Sequence, residues 1–105
     1  GELDDLERAP PRLISALTDP DSELKVIAAI ALGEIGDSLA VPALSQAYTG
    51  ADARFRYAVV KALSEIEDRR GDKTLYVARD DRDPVVRQAA AEALKERHDD
   101  DDDDD

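Results

Sequence analysis

Three cations recur at one offset in this chain: Lys25, Arg56 and Arg87, each 31 residues from the next. Such a column could hold an anion. An acid in a neighbouring turn is the commoner partner, and Asp37 and Asp68 stand at matching places. The expectation is therefore an ion-pair ladder that sets the angle between repeated units, with each exposed pair contributing only about 0–1 kcal/mol. His98, followed by Asp99 to Asp105, is a second candidate for chemistry. A tetrahedral zinc site needs several ligands converging from a rigid frame. A flexible acidic run offers Ca²⁺ or Mg²⁺ only loose contacts, so no metal site is expected, and the run reads as a disordered acidic C-terminal tail. The acid pairs Glu65 with Glu67 and Asp80 with Asp81 raise general acid–base chemistry. They lie on exposed turns or polar faces, with no nucleophile and no second histidine beside them. The sequence has no HExxH, no G-x-S-x-G and no glycine-rich phosphate loop. Neither catalysis nor a cofactor is expected from this inventory.

Composition narrows the classes further. The 105 residues fit one domain, able to bury roughly two-thirds of the surface of the unfolded chain. The core has to be aliphatic, because there are one Phe, three Tyr, no Trp and no Met. That favours close helix packing over a ligand cavity walled with aromatics. Without cysteine, disulfides, thiolate catalysis and Cys-based zinc sites are excluded. The longest apolar run, Val26 to Leu32, is too short to span a bilayer, and no signal-peptide pattern opens the sequence. A cytoplasmic location is the expectation, with no membrane partner.

The net charge is −12, and seven of the excess negative charges lie in Asp99 to Asp105. Such a chain repels phosphate backbones, so nucleic acid is not an expected partner. Arg outnumbers Lys ten to four, and most acids are Asp. An Asp-rich, Lys-poor surface suits a halophile, because concentrated salt screens its self-repulsion.

The elements that must position these side chains come from an internal repeat. Shifting the chain by 31 residues aligns Leu13, Leu44 and Leu75; Ala16, Ala47 and Ala78; Asp21, Asp52 and Asp83; and Leu32, Leu63 and Leu94, without a gap. Between the first two copies 11 of 31 positions are identical. The copies run about 9–39, 40–70 and 71–98, forming a single domain over 1–98 with the tail at 99–105. In the first copy Leu24, Ala28, Ala31, Leu32 and Ile35 follow the spacing of one helix face. Asp21 stands at its N-cap and Gly36 at its stop. The third copy has Asp83 followed by Pro84, a cap and then proline at the first helical position. This pattern predicts second helices near 22–35, 53–67 and 84–97. Shorter first helices are predicted near 10–18, 38–49 and 72–80, with Pro11 and Pro42 bending or tightening their opening turns. Residues 2–8 hold Leu3 and Leu6 and read as a short cap or the remnant of an earlier repeat. Helix pairs of about 31 residues are too thin to bury their own apolar faces, so they must stack. The expected fold is all-α: a short right-handed α-solenoid of three helical hairpins.

Residues 21–44, DSELKVIAAIALGEIGDSLAVPAL, resemble the HEAT-like repeats named after phycobilisome lyases. Their signature runs roughly D-P-x-V-R-x-x-A-x-x-A-L-G-x-I-G-D-x-x-A-V-P-A-L. Asp21, Leu24, Lys25, Ala28, Ala31, Leu32, Gly33, Ile35, Gly36, Asp37, Ala40, Val41, Pro42 and Leu44 carry the match, and the resemblance extends over about 10–97. It implies a non-catalytic binding scaffold, with the second helices lining one face. A minority of such proteins attach or detach bilin chromophores, which gives the alternative of a lyase-type accessory factor. The matched residues are packing residues, so they specify fold more than function. Ser64 and Glu67 stand where the family prefers glycine, and DRRGDKTL replaces GDxxAVPAL, so an irregular junction is expected between the second and third copies.

Opposite the buried stripes, helical geometry places Glu23, Val26 and Ile30 in the first copy. Arg54, Tyr57 and Lys61 occupy the second, and Val85, Gln88 and Glu92 the third. Stacking aligns them as rows. Val26 and Ile30 are expected to face solvent beside Tyr57, and exposed apolar clusters with an aromatic often mark interfaces. The expected function is protein–protein interaction through Val26, Ile30, Arg54, Tyr57, Lys61, Gln88 and Glu92. Tyr57 is the anchor, Val26 and Ile30 supply apolar area, and the polar members set orientation. A homodimer through an apolar N-terminal repeat is the further alternative.

Overall fold

The computed structural model describes residues 10–49 and 52–102, with side-chain surroundings given up to Arg97. The expected cap at residues 2–8 lies outside the described residues. Among the described residues six α-helices follow one another: α1 (Pro11–Ala16), α2 (Ser22–Ile35), α3 (Val41–Ala47), α4 (Ala53–Ile66), α5 (Asp72–Ala78) and α6 (Pro84–Asp102). There is no strand among them. The long helices α2, α4 and α6 stack side by side in one layer, and the short helices α1, α3 and α5 each back the long helix that follows them. The resulting slab measures 40 × 37 × 16 Å. Its thin dimension fits two helix layers about 8–10 Å apart.

The expected starting signals operate in all three copies. Asp21 accepts from the Glu23 and Leu24 amides, Asp52 from the Phe55 amide, and Asp83 from the Val85 and Val86 amides. Each carboxylate thus satisfies amides that the first helical turn leaves unpaired. Helix α2 ends on Gly36 at φ 78°. Glu67, at the same place in the second copy, adopts φ 60° although it is not glycine, and α4 stops there in the same way.

The irregular junction does not materialise. Asp37 accepts from the Leu39 amide at 3.0 Å and opens a 3₁₀ turn, Ser38–Ala40, that leads into α3. Asp68 accepts from the Arg70 amide at 2.8 Å and opens the equivalent turn, Arg69–Gly71, ahead of α5. The second turn forms without a counterpart to Pro42, so the aspartate cap rather than the proline specifies the tightened entry. At the far end, α6 continues to Asp102, past the expected stop at 97 and through the first four aspartates of the run expected to be disordered. No glycine or proline follows Pro84 to end it.

The core is the aliphatic layer between the long and short helices. Leu17, Leu32, Leu44, Leu63, Leu75 and Val86 are fully buried, together with Phe55. A long helix in this stack has neighbours on three sides. In α4, Phe55, Ala58 and Ala62 are buried on the side of the preceding copy. Leu63 lies against Gly71 ahead of α5, and Val59 and Val60 are fully buried. Gly33 marks a close approach: a Cβ there would lie 2.8 Å from the Ala62 Cα and 2.6 Å from a Glu65 carboxylate oxygen. The missing side chain lets α2 and α4 touch backbone to backbone.

The two ends of the stack differ. Leu24 and Ile27, equivalent to the buried Phe55 and Ala58, are 42% and 57% exposed. At the other end Ala91 and Lys95, which stand where Ala29 and Gly33 are buried in the first copy, are exposed. The first edge is therefore aliphatic and the last is small and charged. Leu24 leaves the buried stripe that the sequence assigns it.

Candidate functional site

The cation column does not form a ladder. Lys25 lies over the Phe55 ring, 4.7 Å from its centre, a cation–π contact between the first two copies. Arg56 reaches forward instead, to Asp81 in the loop between α5 and α6. Its Nε lies 2.8 Å from Oδ2 and its Nη2 lies 3.1 Å from Oδ1. Arg87 donates to the Asp81 carbonyl at 2.9 Å. The reason is axial distance. Arg56 and Asp68 are twelve residues apart, or about 18 Å of helix rise, while Asp81 lies at the level of the first turns.

Arg56 and Asp81 are both buried. The Tyr48 hydroxyl donates to Asp81 Oδ2, and the Asp83 amide donates to Oδ1 at 2.8 Å. Burial alone would raise the Asp81 pKa, but the hydrogen bonds from Arg56, Tyr48 and the Asp83 amide, with the guanidinium charge, pull it down to about 2. Burial and the Asp81 carboxylate push the Tyr48 phenol well above its ordinary value, so it stays a donor. The triad ties the C-terminal end of α3 and the first turns of α4 to the α5–α6 loop, and so forms a structural joint between copies. Of the acid pairs singled out in sequence, Asp80, Glu65 and Glu67 are exposed and Asp81 is the paired member of this joint. A similar joint fastens the last helix. Arg97 donates to the Leu63 carbonyl at 2.9 Å and to the Asp68 carbonyl at 3.4 Å, and pairs with Asp72.

Among the described residues, no group of three or more His, Cys, Asp or Glu side chains is placed to hold a metal ion. The His98 side chain lies outside the described residues. No helix among the described residues is long and apolar enough to cross a membrane.

The rows read from the sequence converge on two adjoining grooves along the long helices. The larger, 380 Å³, runs between α2 and α4. Val26, Ala58 and Ala62 line its base; Ile30, Arg54, Tyr57 and Lys61 stand around them, with Glu34 and Glu65 at one end. The smaller, 280 Å³, runs between α4 and α6 and takes in Tyr57, Lys61, Val85, Gln88, Glu92 and Glu96. Tyr57 and Lys61 form the ridge shared by both. All seven residues expected at an interface therefore lie around this double groove. Gln88 and Glu92 also approach each other, at 3.5 Å between Nε2 and Oε2.

Val26 departs from expectation. It is 6% exposed, whereas Ile30 and Tyr57 are 47% and 38% exposed. A single-stripe reading of α2 allows for its own hairpin but not for α4, whose Ala58 and Ala62 line the groove base with Val26 and whose Ala62 closes on Gly33. Val26 is therefore part of the groove base and cannot supply free apolar area. A further row escaped the sequence reading. Glu34, Glu65 and Glu96 are spaced by 31 residues, are exposed, and line the same grooves. The signal was present, since Glu34 and Glu65 are among the positions identical in the first two copies, but it lay one turn beyond the rows considered.

An all-α stack of three helix pairs, without a catalytic constellation among the described residues and with an open double groove, belongs to the helical-repeat class of proteins. The profile of HEAT repeats matches residues 10–95, and the chain belongs to that family. No curated protein matches the chain. HEAT repeats are in general helical scaffolds for protein interactions.

Proposed function

We propose that this protein is a non-catalytic scaffold that binds a protein partner along the exposed strip of α2, α4 and α6. The observation that carries the reading is the double groove itself. Ile30 and Tyr57 are exposed apolar side chains flanking an apolar base, while Arg54, Lys61, Gln88 and Glu92 are exposed polar groups around it. An aromatic anchor ringed by polar groups, once covered by a partner, is the arrangement that concentrates binding energy at interfaces. Tyr57 is the anchor, because it alone belongs to both grooves together with Lys61. Substitution at such an anchor costs about 2 kcal/mol or more, roughly 30-fold in affinity. Affinity capture with the wild type and with a Tyr57→Ala, Ile30→Asp double variant tests the reading. Partners retained by the first and lost by the second support it, and equal capture by both rejects this surface.

A second reading draws on the exposed Leu24 and Ile27 at the first copy. The equivalent positions in the second copy are buried by stacking, so a second molecule meeting the stack head to head would cover them. Light scattering at high concentration distinguishes the two: a monomer discards the dimer and leaves the scaffold reading intact.

A further inference from the structure

We infer that the exposed strip of α2, α4 and α6 takes a basic amphipathic helix of a partner protein lying across the long helices, seated by one apolar side chain over the groove between α2 and α4 and registered by lysines or arginines on the row Glu34, Glu65 and Glu96. The inference rests on the scaffold reading and supplies the chemistry of its partner. Charge complementarity decides the occupant. The groove base is apolar, so it accepts a hydrophobic side chain, while the row at its edge carries one carboxylate per long helix. None of the three carboxylates has a hydrogen bond or ion pair among the described residues. Elsewhere in the stack, Asp81, Asp68 and Asp72 each pair with an arginine. The three carboxylates thus form a line of open acceptors on the strip. The Glu65 carboxylate lies over Gly33, at the close approach of α2 and α4 beside the groove.

Geometry sets the spacing of the ligand. Neighbouring long helices lie about 8–10 Å apart, so successive carboxylates repeat at about that distance across the stack. A helix lying across α2, α4 and α6 presents residues i and i+7 on one face about 10.5 Å apart. Cations at i, i+7 and i+14 therefore meet Glu34, Glu65 and Glu96 in order. A residue at i+3 or i+4 falls midway between the first two, over the end of the groove where Ile30 and Lys61 stand one turn from the row. Lys61 and Arg54 flank Tyr57, all on one side of Glu65 along α4. Their charges disfavour further cations on that edge of the ligand helix and fix which edge faces the glutamate row. The overall charge of −12 adds long-range attraction for such a segment, but only the row gives it register.

The probe is a synthetic 18-residue helical peptide with lysine at positions 2, 9 and 16 and leucine at position 6. It is compared with a scrambled peptide of identical composition, and binding is read by fluorescence anisotropy on the full chain. The ordered peptide is expected to bind more tightly than the scramble. That affinity should fall at least tenfold in a Glu34→Gln, Glu65→Gln, Glu96→Gln variant, since three exposed pairs are removed together. The variant keeps Asp99 to Asp105, so the loss reports the row and not the tail. Equal binding of ordered and scrambled peptides, or unchanged affinity in the triple variant, overturns the inference. If the Tyr57→Ala, Ile30→Asp variant loses native partners while the triple variant keeps them, the scaffold reading survives and only the basic-helix assignment fails.

Discussion

Asp81 concentrates more of the molecule's connectivity than any other side chain described. It accepts from Arg56 twice, from Tyr48 and from the Asp83 amide, while its own carbonyl accepts from Arg87. A buried ion pair is weak evidence of net stability, but breaking one strands a charge without solvent. Asp81→Asn is expected to lower the unfolding free energy by about 3 kcal/mol, read as a shift of the urea midpoint. The pH dependence has a definite sign. The folded Asp81 pKa is held at about 2, below its ordinary 3.8. Its contribution, on the order of 2 kcal/mol, is therefore present in full above the ordinary value and disappears as the pH falls from about 4 through 2. Urea midpoints measured across that range should drop more steeply for the wild type than for Asp81→Asn.

At the scale of elements, two positions decide how the long helices meet and end. Gly33 has no room for a side chain against Ala62, so Gly33→Val forces α2 away from α4 and should cost about 2–3 kcal/mol by overpacking. Glu67 is the mirror case: a non-glycine held at φ 60° where the first copy uses Gly36. Left-handed backbone disfavours residues with a Cβ by about 1–2 kcal/mol, partly offset by the greater unfolded-state freedom of glycine. Glu67→Gly should accordingly raise stability by a few tenths to about 1 kcal/mol, and thermal unfolding of the two variants should shift in opposite directions.

For the whole molecule, the excess of negative charge sets the response to salt. With 26 acids against 14 Lys and Arg, screening relieves more repulsion than the attraction it weakens at Arg56–Asp81 and Arg97–Asp72, which are largely buried. Melting temperature should rise between low and molar KCl. A flat response would remove the case for a surface adapted to concentrated salt.

The three-fold echo was enough to establish the all-α class, the pairing of short with long helices and the start of every long helix, because each Asp21-type cap and each aliphatic period acts within one or two turns. Ile30, Arg54, Tyr57 and Lys61, exposed around the larger groove, followed from the same periodicity. Three things were beyond its reach. Val26 is covered by α4, a helix 31 residues on. Arg56 takes its partner from the next copy's loop instead of the aspartate that repeats in register with it. The Glu34, Glu65 and Glu96 row gains meaning only once the helices lie side by side. Local hydrogen bonding and amphipathic spacing are written along the chain. Which faces remain open, and which charges find a counter-ion, depend on the lateral contacts between copies, and those exist only in the stacked tertiary structure.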